Sequence, residues 1–186
     1  MSIPLTRRRF VGSSLAVGFA SSLPLSVAAV EEQANLRLGL VTYLWGQDWD
    51  LPTLIANCEK TRILGLELRT QHKHGVEADL NAQERQEVRQ RFDDSPVTFL
   101  GPGTNWAFQS PDRGELRKNI EQAISYVKLS HDCGGSGLKV QPNTLPEGVP
   151  VEKTIEQIGK SLNEVSRYAA DYGQQIRVEV HGHRTQ

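Results

Sequence analysis

Cysteine is scarce in this sequence: Cys58 and Cys133 are the only two among 186 residues. They make no CxxC knuckle and no disulfide framework, so stability has to come from ordinary core burial. A surplus of basic charge is missing as well. Lys and Arg number 21 against 22 Asp and Glu, and with Arg7, Arg8 and Arg9 set aside the balance is 18 against 22, or −4. A mildly acidic body makes no general electrostatic claim on nucleic acid or on an anionic membrane surface, so a nucleic-acid partner is not expected. No GxGxxG or GxxxxGK[ST] follows the first strand-like run, which removes the usual nucleotide signatures. Gly134-Gly135-Ser136-Gly137 precedes a strand and reads as a tight turn rather than a phosphate loop. The G-x-S-x-G nucleophile elbow is absent too, since Leu138 follows Gly137. What remains, 38% hydrophobic and 23% charged residues, is the composition of a globular chain.

The first 29 residues read as an address. Thr6-Arg7-Arg8-Arg9-Phe10-Val11-Gly12 leads into an uncharged stretch from Val11 to Ala29, rich in Ala, Ser, Gly and Leu, and then Glu31-Glu32. That is the order of an export signal, with cleavage expected near Ala28 or Ala29. Ser21, Ser22 and Pro24 interrupt the apolar part and make it too weak for a stable membrane span. The arginine pair ahead of Phe10 resembles the twin-arginine motif, which predicts a periplasmic or otherwise exported protein; an ordinary secretion signal is the alternative.

From Leu36 onward strand-like runs alternate with helical patterns. The strands are expected at Leu36–Thr42, Leu66–Thr70, Val97–Gly101, Gly137–Gln141 and Ile176–His181. Leu116, Ile120, Ala123, Ile124 and Val127 form one helical stripe, and Val151, Ile155, Ile158, Leu162, Val165 and Ala169 another. Asn81 with Glu84 and Asp112 with Glu115 read as capping arrangements, Gly173 closes the last helix, and the first helix spans Leu51 to Ile63 with Pro52 in its first turn. Alternation of this kind demands parallel strands with right-handed crossovers, as a doubly wound sheet or a TIM barrel. The helix-to-strand links are short, whereas the strand-to-helix links are long and polar. Long loops therefore gather at the strand C-termini, where α/β enzymes place their chemistry. Without a nucleotide signature, a barrel with strand order 1-2-3-4-5 is the expectation.

Three strands carry a polar face. Leu66 and Leu68 oppose Glu67 and Arg69; Leu138 and Val140 oppose Lys139 and Gln141; Ile176, Val178 and Val180 oppose Arg177, Glu179 and His181. A parallel strand buried on both faces should be almost continuously hydrophobic, so these polar faces are expected to line a wet or catalytic cavity while the apolar faces pack on helices.

The runs Leu38-Gly39-Leu40-Val41-Thr42-Tyr43, Leu64-Gly65-Leu66-Glu67-Leu68-Arg69 and Ile176-Arg177-Val178-Glu179-Val180-His181-Gly182 resemble the xylose isomerase-like TIM barrels of the sugar phosphate isomerase/epimerase group. The resemblance covers Leu36 to Gly182. It implies that Glu179 is both a metal ligand and an acid/base carboxylate, with a divalent cation (Mn, Zn, Mg or Co) and a small sugar or sugar phosphate as ligands. It also places the remaining ligands, an Asp, a His and a second Glu, on strands six to eight. The strands expected here start 30, 31, 40 and 39 residues apart, and a whole barrel takes about 250 residues. Residues 30–186 are therefore expected to be the N-terminal portion of a barrel, inactive alone and prone to self-association through open sheet edges.

Other residues carry alternatives. His181, two positions beyond Glu179, either completes part of a metal site or is an exposed histidine, and Glu179 itself either holds metal or pairs with Arg177 or Lys139. Lys139 points inward and suits a phosphate or a sugar oxygen; Glu67 shares that face. Trp45 and Trp106 either stack on a sugar ring or anchor their loops. His72 and His74 either touch substrate hydroxyls or belong to a solvated loop. Removing a proton beside a carbonyl needs a carboxylate base and stabilisation of the enediolate oxygens. A metal-dependent sugar isomerase or epimerase is thus the leading reading. A non-catalytic remnant or carbohydrate-binding module of the same fold is the second. An abasic-site endonuclease-like metallohydrolase is the third, and the acidic charge counts against it.

Overall fold

The computed structural model describes residues 36–186 apart from 142, 184 and 186; the export leader expected over residues 1–29 lies outside the described residues. Among the described residues nine elements alternate without exception: β1 (Gly39–Val41), α1 (Leu51–Thr61), β2 (Gly65–Arg69), α2 (Ala82–Asp93), β3 (Thr98–Gly103), α3 (Arg113–Asp132), β4 (Gly137–Val140), α4 (Val151–Asp171) and β5 (Gln175–Val178). The strands form one open parallel sheet in the order β1-β2-β3-β4-β5, as consecutive right-handed βα units require. Among the described residues no helix is long and apolar enough to cross a membrane.

Local chemistry sets the helix ends. The Asp50 carboxylate accepts from the Thr53 N–H at 2.9 Å, and Pro52 occupies the first turn of α1, where no donor is needed. That helix stops two residues before the expected Ile63 because Arg62 takes a left-handed conformation and the Ile63 N–H turns back to the Cys58 carbonyl at 3.1 Å. Asn81 and Glu84 make the full reciprocal capping box at α2. At α3 the reciprocity runs through a third residue: Asp112 accepts from the Glu115 N–H, while Glu115 accepts from the Ser110 hydroxyl, which in turn accepts from the Asp112 N–H.

The strands are shorter at both sheet edges than the sequence predicts. Among the described residues β1 and β5 each have one neighbour, and beyond Val178 pairing continues as the Glu179 N–H donating to the Val140 carbonyl at 2.9 Å. Between Leu66 and Glu67 the register of β2 against β3 slips by one residue, with Leu66 opposite Phe99 and Glu67 opposite Gly101. Gly101 makes this bulge possible. Its φ is +125°, and a Cβ there would lie 1.8 Å from the Gly137 carbonyl oxygen, so no other residue fits.

The core lies between the convex face of the sheet and the helices. Leu66, Leu68, Phe99, Leu138 and Val140 meet Leu54, Cys58, Phe92, Val127 and Val165, all buried, and each large apolar side chain so buried is worth about 1.5–3 kcal/mol. Phe92 and Phe99 stack with centroids 4.9 Å apart. The expectation that every apolar strand face packs on helices fails at β5: Ile176 joins the core, but Val178 and Val180 are 46% and 61% exposed.

Candidate functional site

The polar strand faces converge. Glu67 from β2, Lys139 from β4, and Glu179 and His181 from the segment following β5 line a concave cavity of about 450 Å³ together with Arg69 and Gln141; Val41 and Tyr43 close its side. Alternation along each strand is the cause: Lys139 turns inward because Leu138 and Val140 turn outward into the core. The Lys139 carbonyl is held by Thr104, whose N–H and hydroxyl donate to it at 3.0 and 2.7 Å.

Lys139 Nζ donates to Glu179 Oε2 at 2.6 Å, with the lysine side chain 10% exposed and the glutamate 45%. This hydrogen bond from the ammonium, outweighing partial burial, holds the Glu179 carboxyl below its ordinary range. Arg177, the other candidate partner, turns away and donates to the Leu100 carbonyl and the Ser136 hydroxyl. Glu67 is the opposite case. Burial pushes its carboxyl up, against the pull of Lys139 and Arg177. It sits flush on Gly103, where a Cβ would come within 2.5 Å of Glu67 Oε1.

His181 Nδ1 stands 3.9 Å from Glu179 Oε1, and its side chain is 64% exposed. Among the described residues no three His, Cys, Asp or Glu side chains cluster closely enough to hold a cation. Glu179 and His181 offer two donors, and one Glu179 oxygen already accepts from an ammonium. A hard divalent ion takes six or more ligands and zinc four, so these residues do not by themselves fit a metal centre.

The aromatic candidates lie apart from the cavity. Trp45 is 71% exposed in the loop after β1, beside Leu44 and Trp49. Trp106 packs against the core with its ring 6.2 Å from Tyr126, its Nε1 buried and without a partner. His72 is half-buried in the loop after β2 and does not line the cavity; burial and Arg69 hold its ring below the ordinary histidine range. The solvated-loop reading fails for His74. It is 8% exposed, its Nε2–H donates to the Arg69 carbonyl at 2.7 Å, and its Nδ1 accepts from the Val76 N–H at 3.0 Å. Both nitrogens are spent on backbone groups, one at the end of β2 and one in the loop. Two cavity residues lie outside the sequence reading of the site, Val41 and Tyr43, whereas Arg69 and Gln141 stand on the polar strand faces expected to line a cavity, with no role assigned to either.

Residues 56–186 match the xylose isomerase-like TIM barrel family, and the chain belongs to that family. Among solved structures it is similar to D-psicose 3-epimerase from Clostridium cellulolyticum H10 (TM-score 0.64, 16% identity, 78% of this chain and 52% of that one). It is similar also to the IolI protein with a bound zinc atom (0.61, 19%, 77% and 51%). A third similar structure is the 3-keto-D-glucoside 4-epimerase YcjR from E. coli (0.62, 10%, 77% and 55%). At these identities the likeness is one of fold. The chain spans about half the length of the structures it matches. No curated protein matches the sequence.

Proposed function

We propose that the protein is exported and is a sugar isomerase or epimerase whose base is Glu179. The carrying observation is the pair of carboxyl groups in one cavity with opposite proton affinities: Glu179 held low by the Lys139 ammonium, Glu67 pushed up by burial. Groups whose environments separate their proton affinities in this way are suited to acid and base roles. In this reading the sugar's carbonyl lies toward Lys139, and ionised Glu179 takes the proton from the adjacent carbon. The C–H electron pair becomes the C=C bond of the enediolate; in an isomerisation Glu179 returns the proton to the neighbouring carbon while a proton passes from one enediol oxygen to the other, and in an epimerisation protonated Glu67 gives its proton to the opposite face of the same carbon, leaving Glu179 protonated and Glu67 ionised. Lys139 keeps Glu179 ionised and hydrogen-bonds the developing oxyanion; Glu67 donates a hydrogen bond. The epimerase names of several structural neighbours support the substrate class.

A divalent cation, Mn, Zn, Mg or Co, would supply Lewis-acid stabilisation of the enediolate, and the zinc atom in the IolI protein supports it. Glu179 and His181 are the donors this cavity could contribute, and further donors are required. The reading is tested by solvent deuterium exchange at the carbon beside the sugar carbonyl, in wild type and in Glu179→Gln.

A further inference from the structure

Arg69 ends β2 with its backbone fixed at both polar groups: its N–H donates to Thr42 Oγ1 at 2.9 Å and its carbonyl accepts from His74 Nε2 at 2.7 Å. The guanidinium carbon lies 4.6 Å from the centroid of the Tyr43 ring. Stacking of this kind holds the planar fork in one orientation. The side chain lines the cavity, yet among the described residues it enters none of the ion pairs. The cavity's other lining cation, Lys139, is already committed to Glu179. A stacked guanidinium that no carboxylate among the described residues pairs with, inside a cavity large enough for a sugar, is arranged for an anion that those residues do not supply.

We propose that the cavity takes a sugar acid, and that Arg69 binds its carboxylate through a bidentate contact. This rests on the sugar-site reading above. Charge chooses between a carboxylate and a phosphate. Lys139 and Glu179 neutralise one another, which leaves one uncommitted positive charge at Arg69 with Glu67 nearby. A monoanion balances that charge, whereas a dianionic phosphate would add surplus negative charge beside two carboxyl groups. Shape agrees, because a flat two-oxygen group matches the guanidinium fork.

The experiment is calorimetric titration of the protein expressed from its own gene with glucose, glucuronate and glucose 6-phosphate, in wild type, Arg69→Gln and Tyr43→Leu. Wild type should bind glucuronate at least about tenfold more tightly than glucose, with the advantage shrinking as salt rises. In Arg69→Gln the ratio should fall to about one. Tyr43→Leu, at a half-exposed position where folding is not in question, should lower it about two- to fivefold by freeing the fork. Equal affinity for glucose and glucuronate, or a ratio that survives Arg69→Gln, overturns the proposal and leaves the sugar site standing. Tighter binding of glucose 6-phosphate than of glucuronate overturns the carboxylate assignment. Binding of none of the three overturns the sugar-site reading together with it.

Discussion

Lys139 and Glu179 join β4 to the end of β5 through a 2.6 Å contact in which the ammonium is nearly buried and the carboxylate half-exposed. The two partners are therefore unequal. Removing the glutamate leaves a buried cation without a counter-charge, whereas removing the lysine leaves a carboxylate that water can still reach. Glu179→Ala should destabilise the protein by about 2 kcal/mol or more, and Lys139→Met, similar in volume and uncharged, by less than about 1 kcal/mol. Urea denaturation at neutral pH compares them. Because the folded Glu179 is depressed, its contribution is present above the unfolded carboxylate range and lost as pH falls through the folded value. Lys139→Met should flatten that part of the acid limb.

Asp132 supplies a second acid-sensitive point, far from the cavity. Partial burial raises its carboxyl, but hydrogen bonds from Lys128, His131 and Arg85 outweigh this and bring it down to about 2. The link between α2 and α3 through Arg85 at 2.9 Å should persist down to about pH 4 and weaken between there and about pH 2. Asp132→Asn should cost about 1 kcal/mol at pH 7, solvent screening included, and less than half of that at pH 2, where the folded carboxyl is half protonated. Thermal melts at the two pH values measure the difference.

Gly101 carries the bulge that offsets Glu67 along β3. With φ at +125° and the Gly137 carbonyl in the way of any Cβ, Gly101→Ala should cost about 3 kcal/mol or more. The variant's melting temperature, set beside that of Gly148→Ala in an open loop, separates the steric clash from the general cost of a positive φ.

How much of this was legible beforehand varied with the kind of signal. The βα order, the Asn81 and Asp112 caps and the inward turn of Lys139 and Glu179 follow from periodicity and local hydrogen bonding, which a sequence displays. The sequence leaves open whether Glu179 pairs with Lys139 or Arg177, because the choice depends on height along the strands: Arg177 reaches the Leu100 carbonyl and the Ser136 hydroxyl and does not line the cavity. The burial of His74 is not legible in the sequence, because it comes from a loop folding back on β2, a tertiary contact that spacing does not encode. Arg69 was visible on the polar face but not as an unpaired group, since the absence of a partner is a property of three dimensions.

The outer edges of the sheet give a prediction about association. Leu38 and Val41 at β1, and Val178 and Val180 at β5, are 62%, 47%, 46% and 61% exposed, on strands that each have one neighbour. Apolar surface along an unpaired strand favours pairing with another chain. The chain should associate in a concentration-dependent way by light scattering, and Val180→Lys should shift it toward monomer. A stable monomer at all concentrations would contradict this.

The central claim is that Glu179 moves a proton at the carbon beside a sugar carbonyl, and solvent deuterium exchange tests it most directly. The protein expressed from its own gene is incubated in D2O with ketohexoses and keto-sugar acids, and deuterium at that carbon is followed by NMR, beside Glu179→Gln, which can still accept the Lys139 hydrogen bond. Wild type should exchange, and the variant should be slower by about 10²–10⁴-fold. Exchange in the variant at the wild-type rate, or sugar binding by wild type with no exchange, would contradict the account and favour a carbohydrate-binding module on the same fold.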